Sequence, residues 1–328
     1  MKVLVVGAGS IGRRHASNLA GLGQEIIVAD VRPEALESIS HVATATYRSL
    51  DEALAAAASW ERPAAAVVCT YSNDHVPAAL ACARAGLHLF IEKPLALSME
   101  GVDELIAETE RRGLVSMVGC NMRFHPAVQA LREGLAGLGR PLWADLEFGY
   151  YLPFAKPDPK ASYMANRALG GNLIFDDMHE LDLATWLVGE VAEVFCARAI
   201  LDDVVVDTED SVDMLLRFAS GANGRVHMDY LQHGYSRSTK IVCERGTVSW
   251  DFAAGRVGIV SVDEPVWEWR PVEVEIIYDK MYVDELEHFA RCVAEGLPTM
   301  NPLEGSLAAL RLAVAADRSA TSGLWEVV

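Results

Sequence analysis

Apolar and polar positions follow two rhythms along this chain, and the change from one to the other falls near residue 122. Before it, short apolar runs alternate with helical stretches. Lys2-Val3-Leu4-Val5-Val6 reads as a strand, a helical stretch follows, and Ile26-Ile27-Val28-Ala29 is the next strand. Pro33 suits the first turn of a second helix. An alanine-rich helix over roughly Leu50–Ser59 precedes Ala64 to Cys69, a continuous apolar run typical of a strand buried on both faces. After Thr70–His75 the pattern predicts a helix from about Val76 to Ala85, stopped by Gly86. A strand His88–Glu92, a helix to about Arg112 and a strand Leu114–Gly119 complete the series. Strands separated by helices imply a doubly wound parallel sheet.

Beyond Arg123 the pattern predicts helix over about Pro126–Leu138 and then longer alternating strands. These are Leu142–Tyr151, Glu193–Leu201, Asp210–Phe218, Gly224–Asp229, Thr239–Glu244, Thr247–Asp251, Arg256–Ile259 and Val272–Ile276. A helix around Phe175–Leu187 interrupts them, and helices Val283–Glu295 and Leu303–Ser319 close the chain. Strands in series without intervening helices indicate a large, mostly antiparallel sheet. Two domains follow: an α/β domain over 1–122 and an α+β domain over 123–328.

The first strand leads into Gly7-Ala8-Gly9-Ser10-Ile11-Gly12, and Asp30 stands at the end of the second strand, 18 residues after Gly12. Each residue of this fingerprint has a separate physical duty. Gly7 permits the tight turn, Gly9 lets backbone approach a pyrophosphate, and Gly12 lets helix and strand pack closely. The first-turn residues Ser10 and Ile11 offer N–H groups at the positive end of a helix dipole. Asp30 is placed to accept hydrogen bonds from ribose hydroxyls, which favours NAD. Arg32, two residues on, is within reach of a 2′-phosphate, so NADP stays open. The first domain therefore reads as a Rossmann domain.

Composition narrows the picture. The chain has 328 residues, 51% hydrophobic and 23% charged, as expected of a globular enzyme. Its net charge of −18 argues against nucleic acid or an anionic membrane as partner, because phosphate binding needs clustered Lys and Arg. The apolar runs are too short for a membrane span, and the first core strand leaves no room for a signal peptide. Six scattered cysteines without C-x-x-C spacing read as reduced core thiols, so a cytoplasmic protein is expected. His75 and His125 form no metal-ligand spacing, and no metal site is predicted.

The chain resembles the Gfo/Idh/MocA oxidoreductases, the glucose-fructose oxidoreductase and inositol dehydrogenase family, over essentially its whole length. The resemblance rests on the glycine fingerprint, Thr70–His75, Glu92-Lys93-Pro94, Asn121-Met122-Arg123-Phe124-His125-Pro126, Gly170-Gly171 through His179 and Asp182, and Tyr282–Phe289. It implies an NAD-dependent dehydrogenase acting on a secondary hydroxyl or keto group of a sugar, sugar acid, nucleotide sugar or cyclitol. An NAD-dependent glycosidase and a non-catalytic NAD-bound sensor share the fold and stand as alternatives. The resemblance further implies a homodimer or homotetramer assembled through the C-terminal sheet.

The same resemblance distributes the chemistry. Lys93 reads from its spacing as a solvated turn lysine. The resemblance instead places it beside nicotinamide and substrate as the proton-transfer residue, with Glu92 on the cofactor side and the Lys93–Pro94 bond commonly cis. Thr70, Ser72 and His75 follow a strand at the ligand edge and are expected on the cofactor. His179 is the second catalytic candidate: helical spacing would put Asp176, His179 and Asp182 on one face, where either aspartate could fix the ring tautomer. Two departures stand out, Tyr71 in place of the usual Pro and Asn172 in place of a third Gly. Arg123, Tyr163 and Arg167, with Asp176 and His179, are expected to line the substrate pocket. Arg123 and Arg167 together would suit an anionic substrate.

Overall fold

The computed structural model describes residues 1–61, 64–156, 158–167, 171–272 and 277–328. Two compact units divide the chain. The first comprises Met1–Asn121 and Asp279–Leu307, the second Met122–Tyr278 and Ala308–Val328. The first crossing between them lies between Asn121 and Met122. The return of residues 279–307 to the first unit is a difference from the single boundary expected: helical periodicity marks an apolar face but not the sheet it will cover.

Six parallel strands build the first unit: β1 (Lys2–Val6), β2 (Glu25–Ala29), β3 (Ala45–Tyr47), β4 (Ala64–Val68), β5 (His88–Glu92) and β6 (Ser116–Gly119). Their spatial order is β3-β2-β1-β4-β5-β6, the doubly wound arrangement that the alternation implies. Helices α1 (Ser10–Gly21), α2 (Pro33–Ile39), α3 (Leu50–Ala57), α4 (His75–Arg84) and α5 (Val102–Arg111) connect them. β4, Ala-Ala-Ala-Val-Val, is buried at every position, and its small side chains suit a strand covered on both faces. The sheet order reverses between β1 and β4, so the loops after Val6 and Val68 open at the carboxyl edge where such sheets bind ligands. The three-residue edge strand β3 has no periodicity from which to predict it.

In the second unit α6 (Pro126–Gly134) ends sooner than the pattern suggests, because Gly137 and Gly139 turn the chain at φ +84° and +80°. There follow β7 (Pro141–Gly149), α7 (Leu152–Ala155), α8 (Leu173–Asp176) and α9 (His179–Leu187). The remaining strands are β8 (Val191–Ala199), β9 (Ser211–Phe218), β10 (Asn223–Asp229), β11 (Ser236–Cys243), β12 (Gly246–Asp251), β13 (Arg256–Ser261) and β14 (Glu268–Pro271). Val272 follows β14, and the rest of the strand expected over 272–276 lies outside the described residues, as does Gly170 of the Gly170-Gly171 pair. Helices α10 (Ile277–Glu295) and α11 (Leu303–Ser322) and the short β15 (Glu326–Val327) end the chain.

The nine-stranded sheet runs β14-β13-β12-β11-β7-β10-β9-β8-β15. Every pairing is antiparallel except β7 with β10, which the long excursion through α7–α9 allows to run parallel. β9 shows why one face is core: Val212, Met214, Leu216 and Phe218 are buried while Asp213, Leu215 and Arg217 between them are exposed. All six cysteines are buried, and none of them forms a disulfide. Among the described residues no helix is long and apolar enough to cross a membrane.

Candidate active site

The fingerprint loop shows why each glycine is where it is. Gly7 takes φ +95°, and a Cβ there would lie 2.6 Å from the Cys69 carbonyl oxygen. A Cβ on Gly12 would lie 1.9 Å from the Gly7 carbonyl oxygen, so only glycine lets α1 approach the loop. Gly9 is different, with nothing within 4 Å of its absent side chain. It is also the N-cap of α1 and brings no side-chain cap, which leaves first-turn N–H groups, those of Ser10 and Ile11 among them, for a ligand. The open side is therefore the one that a pyrophosphate needs. Nearby, the buried Thr70 Oγ1 has no hydrogen-bond partner among the described residues, a second polar group that fits a bound dinucleotide.

Asp30 ends β2 with its carboxylate already occupied. Oδ2 accepts from the Ala8 N–H at 2.7 Å and from Arg32 Nη2 at 2.9 Å; Oδ1 accepts from the Arg32 main chain at 2.8 Å and from its Nε at 3.0 Å. Burial alone would raise this carboxyl, but the hydrogen bonds from Arg32 and Ala8 outweigh it and hold it below the usual value. Four donors fill the carboxylate's lone-pair sites. Ribose hydroxyls can reach Asp30 only where the Arg32 guanidinium swings away, and the Arg32 side chain, 48% exposed, has solvent to swing into.

At the ends of β4 and β5 the structure corrects two expectations. His75, placed on the cofactor side by sequence, is buried with Nδ1 2.7 Å from the Pro94 carbonyl oxygen and Nε2 3.1 Å from that of Thr70. Burial pushes it below its ordinary pKa, against the pull of those carbonyls. His75 lies between the Thr70 loop and the Lys93–Pro94 turn, and its neutral ring donates its single N–H to one of these two carbonyls. Glu92 also points inward: Oε1 meets His15 Nε2 at 2.5 Å and Oε2 accepts the Lys93 N–H at 3.1 Å. The Lys93–Pro94 bond is cis, as the resemblance implies, and Lys93 is half-buried. Ser72 opens a short 3-10 turn after Thr70, and the neighbouring Tyr71 is 62% exposed, so it does not pack on the sheet.

The second unit carries the other candidates. The helix expected over Phe175–Leu187 is two helices. Asn172 Oδ1 caps α8 at the Ile174 N–H, and Asp176 Oδ2 accepts the Asn172 N–H at 3.0 Å, closing that single turn on itself. Asp177 then leaves helical angles (φ −114°, ψ 36°) and α9 starts afresh at His179. The one-face relation of Asp176, His179 and Asp182 therefore does not hold across the break. Asp182 is committed elsewhere: its Oδ2 and Oδ1 accept from Arg123 Nε at 2.9 Å and Nη2 at 2.7 Å. Asp176 remains the aspartate beside the break.

The two arginines expected to receive an anionic substrate both meet carboxylates. Arg123, 3% exposed, forms that two-pronged pair and lies 4.9 Å from the Trp186 ring. Arg167 Nη2 meets Glu209 Oε2 at 2.6 Å, while Glu209 Oε1 accepts the Leu173 N–H at the start of α8. Tyr163 sits in a 3-10 turn whose carbonyl would be 2.3 Å from a Cβ on Gly171, so a glycine there allows the chain to pass. Sequence reasoning missed Glu180, buried against Arg237 with Nε to Oε1 at 2.8 Å. Burial pushes the Glu180 carboxyl up to about 7 although Arg237 pulls it down. A buried acid next to His179 was visible in the sequence; its partner, 57 residues away, was not.

Comparison with known proteins fits this geometry. Residues 1–120 match the description "Oxidoreductase family, NAD-binding Rossmann fold", and residues 127–249 match the Gfo/Idh/MocA C-terminal domain. The chain belongs to the Gfo/Idh/MocA oxidoreductase family. It is 30% identical to an inositol 2-dehydrogenase of Rhizobium meliloti strain 1021, covering 96% of this chain and 95% of that one. It is 27% identical to a myo-inositol 2-dehydrogenase of Thermotoga maritima, covering 97% and 96%. The crystal structure of GenD2 from gentamicin A biosynthesis, in complex with NAD, superposes with a TM-score of 0.83 at 26% identity, covering 100% of this chain and 96% of that one. The family member described above is thus an NAD-dependent dehydrogenase acting on CH–OH groups.

Proposed function

We propose that the substrate is an uncharged cyclitol or sugar whose secondary hydroxyl is oxidised, or whose ketone is reduced. The observation that carries this reading is the pairing of both candidate anion-binding arginines, Arg123 with Asp182 and Arg167 with Glu209, which leaves no uncompensated charge at either position for a carboxylate or diphosphate substrate. The inositol dehydrogenases among its relatives support the same class.

The bound nicotinamide supplies the hydride acceptor or donor. Everything else falls to the chain. Lys93, at the carboxyl end of β5, takes the hydroxyl proton in oxidation and returns it in reduction. His179 assists at the start of α9, and Asp176 supports it. Gly9, Ser10, Ile11 and Thr70 hold the dinucleotide, with Ser72 near the same edge. Asp30 selects NAD over NADP once Arg32 has moved off. The exposed face of the nine-stranded sheet, with Asp213, Leu215 and Arg217, is the surface for a homodimer or homotetramer, and six cysteines without a disulfide accord with a cytoplasmic setting.

The test is NADH formation, followed by absorbance, with NAD or NADP against myo-inositol, neutral hexoses, sugar acids and nucleotide sugars. Turnover of a neutral polyol that is lost in Lys93→Ala supports the reading. Turnover confined to anionic substrates, or unchanged in Lys93→Ala, overturns it.

A further inference from the structure

Three ionisable side chains from three separate segments meet in the interior of the first unit. His15 comes from α1 one turn after the fingerprint, Glu92 from the end of β5, and Glu285 from α10. One ligating atom from each lies within 4.8 Å of the others, and all three residues are buried. His15 packs edge-on against Phe90 at 5.3 Å and Tyr282 at 5.9 Å, and Phe90 against Phe289 at 5.7 Å, so the walls are aromatic. β6 closes another side: a Cβ on Gly119 would lie 2.8 Å from the Phe90 ring and 3.4 Å from Glu92 Oε1.

We propose that His15, Glu92 and Glu285 form a buried triad that holds the turn carrying Lys93, and that Glu285 is its protonated member. The proposal rests on the reading of Lys93 as the proton-transfer residue. The geometry favours protons over a metal ion in this cluster. Two ligands of one tetrahedral divalent ion stand about 3.3 Å apart. His15 Nε2 and Glu92 Oε1 are 2.5 Å apart, a separation that suits a hydrogen bond and not two ligands of one ion.

Glu285 is fully buried, and neither of its carboxyl oxygens has a hydrogen-bond partner among the described residues. An ionised carboxylate there would sit unpartnered, facing the Glu92 charge in an apolar box. Burial, reinforced by the charge of Glu92, pushes its carboxyl well above the usual range. The other titratable groups that feel the cluster are Cys69 at the end of β4, His75 on α4, which feels Glu92, and Lys93 itself. Burial and the two glutamates push the Cys69 thiol well up, so it supplies no counter-charge. The consequence for the reaction runs through Glu92. Its Oε1 is fixed by His15, so its Oε2 is aimed at the Lys93 N–H, and the direction of the lysine is set from behind.

Infrared difference spectroscopy on the full chain tests the protonation directly. A protonated-carboxyl stretch is expected at neutral pH, sensitive to deuterium exchange and missing in Glu285→Gln. In Glu92→Gln the same band should disappear at lower pH than in the wild type, because the like charge that helps keep the proton on Glu285 is gone; an unmoved band, or one that moves to higher pH, overturns the coupling. Absence of the band at neutral pH, its persistence in Glu285→Gln, or a stoichiometric metal in elemental analysis of the purified chain overturns the proposal. Should Glu285→Gln not fold, the wild-type band and its movement in Glu92→Gln decide.

Positioning is read with the polyol found in the screen. Glu92→Gln should lower kcat about tenfold while the KM for NAD changes less than about threefold. Glu285→Gln should recover part of the kcat that Glu285→Leu loses, and equal loss in both overturns the proposal. If no polyol is turned over, the proposed substrate class fails, and the infrared result still decides the state of the triad.

Discussion

Replacing Asp182 with Ala removes the carboxylate paired through two hydrogen bonds with the Arg123 guanidinium, whose side chain is 4% exposed against 1% for Asp182. The guanidinium cannot reach water from that position, and the Trp186 ring at 4.9 Å compensates little of a full charge. Breaking a buried pair from one side costs about 3–5 kcal/mol, because the remaining charge stays buried and unpaired. For a unit of this size that is a fall in melting temperature of roughly 6–20 °C. Differential scanning calorimetry of the cofactor-free chain measures it, and the double variant Arg123→Met with Asp182→Leu should recover most of the loss, since well-packed apolar residues can replace a buried pair. The reasoning fails if Asp182→Ala melts with the wild type. A variant that melts normally but binds substrate far more weakly would instead make Arg123 a substrate contact.

Three further perturbations follow from the site. Gly12→Ala drives a Cβ to 1.9 Å from backbone and should destabilise the first unit, whereas Gly9→Ala enters open space and should leave melting unchanged while weakening NADH binding, both read by thermal shift and NADH fluorescence. Arg32→Ala frees the two lone pairs that its guanidinium occupies on Asp30 and removes a cation near any 2′-phosphate, so the ratio of KM for NADP to KM for NAD should rise; a fall would contradict the assigned role. His227 is raised to about 9 by hydrogen bonds to Asp229 and Asp213, against burial. Because the folded state then holds a proton that the unfolded state releases above about 6.5, this stabilisation is complete below that pH and is lost as pH rises through about 9. Urea midpoints across this window should fall more steeply for the wild type than for His227→Gln.

How much was legible in advance depended on the range of the interaction. The glycine fingerprint and the β1–α1–β2 unit are local: Gly12 is required by the Gly7 carbonyl in the same loop and Gly7 by its positive φ, although the Cys69 carbonyl also crowds Gly7. Strand His88–Glu92 matches its expected limits because a continuous apolar run flanked by Gly86 and Pro94 has no competing period. The helix through 175–187 failed because periodicity sees spacing and not closure. The Asn172 and Asp176 side chains accept from the Ile174 and Asn172 N–H groups and close the start of α8 locally, and Asp177 then leaves helical angles despite a good apolar pattern.

The side chains that decide the site were visible as residue types and ambiguous as roles. Arg123 looked like an anion receptor until Asp182, 59 residues on, took its charge. His75 looked like a cofactor contact, and the structure buries it between the Pro94 and Thr70 carbonyls. By itself, the sequence determined the doubly wound sheet, the dinucleotide loop and the antiparallel second sheet, because those follow from periodicities of two and 3.6 residues and from glycine's freedom at a turn. Only the tertiary structure decided which charges are spent on one another and which remain for chemistry. A buried charge must find a partner wherever the fold puts one, and that partner is chosen by distance in space, to which the order of the residues along the chain is indifferent.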